Sequence, residues 1–247
     1  MDPAVLREDM VDSLEHRAKG VVQSERVNVA MREVPREAFL DDERAAYADQ
    51  PFERYGTRVL APSTAARLLE ALAVDPDDDV LVVGVGVGYT AAVLAELTDE
   101  ASVHAVDITR QLVYEARSNL AAAGYPGVFV DCRDGAEGLS EYAPYDRILV
   151  EAAAVRPPRR LLEQLSSSGR LVMPLGTGGQ ELVAVGADGS VLAEHGTVIF
   201  RPLLVDGEQA DGIERNRTRR EDIEHARRAA QRRKGWEQSW IDWDDHV

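Results

Sequence analysis

The sequence predicts an α/β protein built on a doubly wound, mostly parallel sheet, with helices before it and a charged helical tail after it. Three observations carry this. From residue 79 onward, short apolar stretches alternate with helical stretches of about ten to fifteen residues. The first apolar stretch, in "DDVLVVGVG", lacks polar alternation, as expected of a parallel strand covered on both faces. It runs directly into Gly84, Gly86 and Gly88, which mark a tight strand-to-helix turn.

The elements follow in order. "DPAVLREDMVDSLEHRAKG" carries Val5, Leu6, Met10 and Leu14 at near-helical spacing and predicts a helix ending at Gly20. "SERVNVAMREV" predicts a second helix, with Ser24 as N-cap and Pro35 beyond its end. "PREAFLDDERAAYADQPF" reads as a short helix and a loop, and "RYGTRVLAPST" as the lead into the helix "APSTAARLLEALAV". Strands are expected in "DDVLVVGVG", "SVHAVDI", "GVFVDCRDG", "YDRILVEAAA" and "GRLVMPLG". Helices are expected in "YTAAVLAELT", "RQLVYEARSNLAAAG" (closed by Gly124) and "PRRLLEQLSSSG". "QELVAVGAD" and "VLAEHGTVIFRPLLV" read as closing strands. The chain thus divides into an N-terminal helical cap (1–55), a core (56–207) and a tail (208–247). Residues 214–234 of the tail hold nine Arg/Lys against four Asp/Glu. Trp236, Trp240 and Trp243 follow at a spacing that shares one helical face. The tail is expected to dock on the body or to bind a partner or a second copy, since Trp and Arg are interface anchors.

Composition excludes several classes. The 247 residues carry 28 Lys+Arg against 44 Asp+Glu, a net charge of −16 that repels nucleic acid. The acid-rich, lysine-poor balance is that of proteins from salt-loving organisms. No apolar run is long enough to span a membrane, and "MDPAVLREDMVDSLEH" has no secretory h-region. A cytoplasmic protein without membrane contact is expected. One cysteine, Cys132, excludes an internal disulfide and a multi-cysteine metal site, and the histidines form no ligand spacing, so no metal is expected. Cys132 and His104, each inside a strand, are expected to be packed in the core.

The candidate chemistry sits at three strand ends. Gly84, Val85, Gly86 and Gly88 form a loop that brings bare backbone and a helix N-terminus near a ligand. The dinucleotide fingerprint requires G-x-G-x-x-G, and its sixth position here is Tyr89. Asp107, followed by Ile108, ends the second strand, where a carboxylate accepts ribose hydroxyls; this fits a nicotinamide or an adenosylmethionine cofactor equally. The third strand ends in Asp134-Gly135, an acid for an adenine amino group and a glycine that lets the backbone approach the ring. Glycine loop, Asp and Asp-Gly at consecutive strand ends is the layout of a class I, Rossmann-like methyltransferase that uses S-adenosyl-L-methionine.

Over roughly residues 30–185 the chain resembles the protein-L-isoaspartate O-methyltransferase family. The runs that carry the resemblance are "MREVPREAFL", "YADQPFERYG", "VLVVGVGVGYTAAVLAEL", "RDGAEG", "APYDRILVEAAA" and "LLEQLSSSGRLVMPLG". The resemblance implies S-adenosyl-L-methionine as cofactor, a protein or peptide with isoaspartyl residues as substrate, and protein repair by carboxylate methylation. It also implies an acceptor loop at "GTRVLAPST", where Thr57, Ser63 and Thr64 would bind substrate and Arg58 and Leu60 would occupy the catalytic positions. Here the sequence departs from the family pattern. Leu60 stands where the active-site Ser is usual, Thr57 for Gln, Arg58 for Thr and Ser63 for His. Val82 replaces an acid two residues before the first glycine, Val85 and Val87 replace polar loop residues, and Glu151 stands where a small polar residue is usual. Leucine cannot donate a hydrogen bond to a carboxylate, whereas Arg58 can in bidentate form. The alternative these departures leave open is a catalytically degenerate paralogue acting as a cofactor-binding or adaptor protein.

Overall fold

The computed structural model describes residues 2–42, 45–176 and 179–204. The tail and its tryptophans lie outside the described residues.

Helix α1 (Pro3–Glu15) is capped by Asp2, whose side chain accepts the Ala4 N–H, and buries Met10, Val11 and Leu14. It ends at Glu15, short of Gly20. Helix α2 (Glu25–Glu33) starts at the expected N-cap: Ser24 Oγ accepts the Val27 N–H at 3.2 Å. Two 3₁₀ turns follow, Arg36–Phe39 and Ala45–Tyr47. Where the sequence suggested only a lead-in, strands β1 (Phe52–Arg54) and β2 (Thr57–Val59) form a small antiparallel hairpin. Its turn, Tyr55-Gly56, takes positive φ at both residues, a hairpin geometry that the sequence marks only by its glycine. Helix α3 (Pro62–Leu72) begins with proline in its first turn.

The sheet elements are β3 (Val80–Val83), α4 (Tyr89–Leu97), β4 (Val103–Asp107), α5 (Arg110–Ala123), β5 (Phe129–Cys132), β6 (Tyr145–Val150), α6 (Arg159–Glu163), β7 (Leu165–Leu175), β8 (Gln180–Gly186) and β9 (Val191–Val198). Sheet order is β5-β4-β3-β6-β7-β8-β9, parallel from β5 through β7 and antiparallel from β7 to β9. All four residues of β3 are buried, as its unbroken apolar run requires. Val80, Val82 and Leu149 join one core cluster with α1–α5, so the N-terminal helices share this core. Leu81, Val83, Ile148 and Val150 join a second cluster with Leu161 and Leu203 on the opposite face.

Two local expectations are corrected. The helix expected over "PRRLLEQLSSSG" stops at Glu163, and β7 begins at Leu165. Serine competes for its own backbone and disfavours helix. Tertiary hydrogen bonds also hold the chain at Gln164: its Oε1 accepts the Leu139 N–H, its Nε2 donates to Glu137 O, and its backbone oxygen accepts the Tyr145 N–H. Cys132 is exposed rather than buried, because β5 is the sheet's edge strand and Cys132 is its last residue. His104 does pack, among the rings of Phe129, Tyr142 and Tyr145.

From β3 the chain proceeds to β4 on one side and later returns to β6 on the other, so the order reverses between β3 and β6. Open α/β sheets bind ligands outside the carboxyl ends of the strands at such a point. Val83 pairs with Val150, so the next residues, Gly84 and Glu151, flank the reversal.

Candidate functional site

The glycine loop leaves β3 with φ of 84° at Gly84, 55° at Gly86 and 98° at Gly88, values that L side chains rarely adopt. The N–H groups of Gly84 and Val85 both donate to Val106 O. Gly86 N donates to Asp107 Oδ2 at 3.1 Å, and Thr109 N donates to Asp107 Oδ1 at 2.8 Å. Asp107 therefore fastens the loop as well as standing at the tip of β4. It is only 8% exposed, and burial pushes its carboxyl up, opposed by these N–H donors. The Thr109 side chain and the Ile108 backbone also hydrogen-bond to it. Gly88 forms the N-cap of α4 without a side-chain cap bond, so the first-turn amides of α4 offer an anion site. This donor set fits S-adenosyl-L-methionine: a carboxylate for ribose and helix amides for the methionine carboxylate.

Val85 and Val87 are 2% and 5% exposed and belong to the core cluster. Their side chains are packed inside the protein, so the apolar character of the loop is internal and what the loop exposes is backbone. Asp134 is half-buried and its Oδ1 accepts the Ala136 N–H. Gly135 has a different reason from the one its sequence context suggests. A Cβ there would lie 2.4 Å from Val83 Cγ1, so glycine is required by packing against β3. Ile108 is half-buried between Asp107 and α5, and its oxygen is 3.8 Å from Cys132 Sγ.

A cavity of about 330 Å³ lies beside this loop, lined by Thr57, Arg58, Leu60, Thr64, Glu151 and Phe200 among others. Four of the five expected acceptor residues thus converge. Ser63 does not line it: its backbone N–H donates to Asp49 Oδ1 in the first turn of α3. Arg58 is at the rim and already engaged, with Nε donating to Glu53 Oε1 at 3.0 Å; Arg201 approaches the same carboxylate at 3.5 Å. Arg67, also lining the cavity, donates to His195 O and Thr197 O.

Two residues exceed what the sequence pattern assigned. Glu151 lies at the cavity floor, its Cβ 3.7 Å from where a Cβ on Gly84 would be. Its Oε1 accepts the Thr90 hydroxyl. Burial pushes its carboxyl up to about 8; the Thr90 bond opposes this and the Asp107 charge adds to it. Its sequence signal was only a departure from a pattern. Arg36 is fully buried; it donates to Ala46 O at 2.8 Å and Leu60 O at 2.5 Å and stacks on the Tyr89 ring at 4.3 Å. It ties the acceptor loop to the start of α4. It lies in the run "MREVPREAFL", but nothing there marks this arginine as a buried one.

The model of the protein-L-isoaspartate(D-aspartate) O-methyltransferase family matches residues 6–209. The protein-L-isoaspartate O-methyltransferase of Aeropyrum pernix is 42% identical over 204 residues, covering 79% of this chain and 78% of that protein. A solved protein-L-isoaspartate O-methyltransferase superposes with a TM-score of 0.71 at 26% identity, over 86% of this chain and 69% of that one. A Plasmodium falciparum structure in complex with S-adenosyl-L-homocysteine shares the fold, with a TM-score of 0.70 at 19% identity over 80% of this chain and 98% of that one.

Proposed function

The chain belongs to the protein-L-isoaspartate(D-aspartate) O-methyltransferase family, and from that premise we propose that it methylates the free carboxylate of isoaspartyl residues in damaged protein. S-adenosyl-L-methionine, when bound, supplies a methyl carbon whose bond to sulfur breaks as a bond to the acceptor oxygen forms, leaving a methyl ester and adenosylhomocysteine. The acceptor is ionised at neutral pH and needs no general base. The residues of the chain therefore position and desolvate rather than move protons.

The observation that carries this reading is the adjacency of the two half-sites. Glu151 stands beside Gly84 of the glycine loop, 3.7 Å from where a Cβ there would lie, and also lines the cavity formed by the acceptor loop. In this reading Gly84, Val85, Gly86, Gly88, Asp107, Ile108, Asp134 and Gly135 hold the cofactor, chiefly through backbone and the two carboxylates. Thr57, Arg58, Leu60 and Thr64 shape the acceptor side, and Ser63 contributes only the start of α3. The paired arginines at the rim, Arg58 and Arg201, attract an anionic acceptor without entering the floor. A degenerate adaptor is disfavoured because the departures in the glycine loop face the core, leaving its donors in place. Among the described residues no helix is long and apolar enough to cross a membrane, in keeping with the cytoplasmic location we infer.

Methyl transfer from labelled S-adenosyl-L-methionine to an isoaspartyl peptide, against the same peptide with normal aspartate, tests the proposal. Transfer to the first and not the second is expected. Binding of adenosylhomocysteine without transfer to either peptide would refute the acceptor assignment while leaving the cofactor assignment standing.

A further inference from the structure

We propose that Glu151 is the hydrogen-bond donor that holds the acceptor carboxylate in the cavity, a role that Leu60 cannot fill. The inference rests on the acceptor reading above. Three features of the geometry carry it. Glu151 sits at the strand-order reversal, next to Gly84 and at the floor of the cavity. Its Oε1 is tied by the Thr90 hydroxyl, which fixes the carboxyl plane, and among the described residues Oε2 has no partner. Leu60, Ala61, Val198 and Phe200 face the same space, together with Thr57, Thr64 and the arginines named below.

A carboxyl group in such a place has two states with opposite consequences. Neutral, it donates O–H from Oε2 to one oxygen of the acceptor and leaves the other oxygen free to attack. That bond is charge-assisted and short-range. Ionised, it sets two carboxylates against each other, which excludes the acceptor. A neutral donor also suits the chemistry, because a buried cation at the floor would stabilise the charge that methylation removes. The neutral form is the one that burial favours up to a pH of about 8.

The charged groups around Glu151 are few. Asp107 reaches it from the tip of β4, Arg67 from α3, Arg58 with its partner Glu53 from the β1–β2 hairpin, and Arg201 from the segment after β9. The arginines keep their charge across the neutral and alkaline range. Asp107 is unaltered by substitution at position 151, so a Glu151 variant separates its titration from that of Glu151.

The test is calorimetric binding of an isoaspartyl peptide to the full chain saturated with adenosylhomocysteine, at a pH of about 7 and of about 9.5. For the wild type, affinity should fall by about tenfold or more between the two. Glu151→Gln keeps a donor, the amide NH₂, and accepts Thr90 through its oxygen; its affinity should change by less than about twofold over the same range. Glu151→Leu should bind at least about tenfold more weakly than the wild type at the lower pH, with adenosylhomocysteine affinity within about threefold of wild type. A wild-type affinity independent of pH, or the same fall in Glu151→Gln, overturns the proposal and leaves the acceptor reading intact. A wild type that binds adenosylhomocysteine but no isoaspartyl peptide at either pH overturns the acceptor reading and this proposal with it.

Discussion

The two halves of the site are built by different means. The proposed cofactor half is mostly backbone: three positive-φ glycines and the uncapped start of α4, with two carboxylates, Asp134 and Asp107, the latter accepting the Gly86 and Thr109 N–H groups. All of it comes from strand ends and the turns that follow them. The acceptor half is made of side chains drawn from the hairpin, α3, the end of β6 and the segment after β9. On this reading the cofactor half should tolerate change at side chains that face the core, whereas the acceptor half should depend on single residues such as Leu60 and Glu151.

Substitutions can break or sharpen this contrast. The largest effect is expected at the residue that ties the halves together. Arg36→Ala leaves the carbonyls of Ala46 and Leu60 unpartnered and opens a void, and should lower stability by about 3–5 kcal/mol. Calorimetry should then register a melting temperature roughly 10 °C lower.

Next comes the buried acid of the acceptor half. Unfolded, Glu151 loses its proton near 4.5; folded, it holds the proton to about 8. Between these values the native state binds the extra proton, so the contribution of Glu151 to stability falls as pH rises through that window and is flat above it. Glu151→Gln does not titrate. Its stability relative to the wild type should therefore grow by a few kcal/mol, on the order of one per pK unit, across the same window in denaturant titrations. A constant difference would mean that the carboxyl is not held neutral.

In the cofactor half, Asp107→Asn sets an amide NH₂ against one of two N–H donors. Adenosylhomocysteine affinity should drop about 10- to 100-fold. Val85→Thr makes the opposite point. Because that side chain is buried, the added hydroxyl should destabilise by about 1–2 kcal/mol and leave adenosylhomocysteine affinity within about twofold. Tighter binding would place the side chain on the ligand face and undo the contrast. The smallest change is expected for Arg58→Ala, since that arginine is exposed and paired with Glu53. The KM for acceptor peptide should rise by less than about fivefold, and less still at high salt.

The legibility of the two halves differs for the same reason. The strand-end pattern was readable because adjacent residues in sequence make it: glycines on a β3 tip, Asp107 on a β4 tip, Asp134 on a β5 tip. The alternation of strands and helices implies a mostly parallel sheet, and β5 through β7 are parallel, but the strand order itself is not written in that alternation. The reading failed where distant segments decide. Cys132 looked buried because it lies in a strand, but only the sheet order makes that strand an edge. Gly135 has a packing reason that its sequence context does not show: Val83 Cγ1 would stand 2.4 Å from a Cβ there. The helix expected through the Ser166–Ser168 stretch lost to the hydrogen bonds of Gln164. Arg36 was invisible because burial of a charge is a tertiary event.

The sequence by itself determined the fold class, the glycine loop and the two aspartates that point to an adenosylmethionine site. These depend on periodicity and on turn chemistry, which act over a few residues. Only the tertiary structure decided what the acceptor side is. Leu60 and Glu151 are some ninety residues apart in the chain, and only the folding of the β2–α3 segment over the end of β6 brings both to one cavity. The same packing takes that carboxyl out of bulk water and pushes its pKa up.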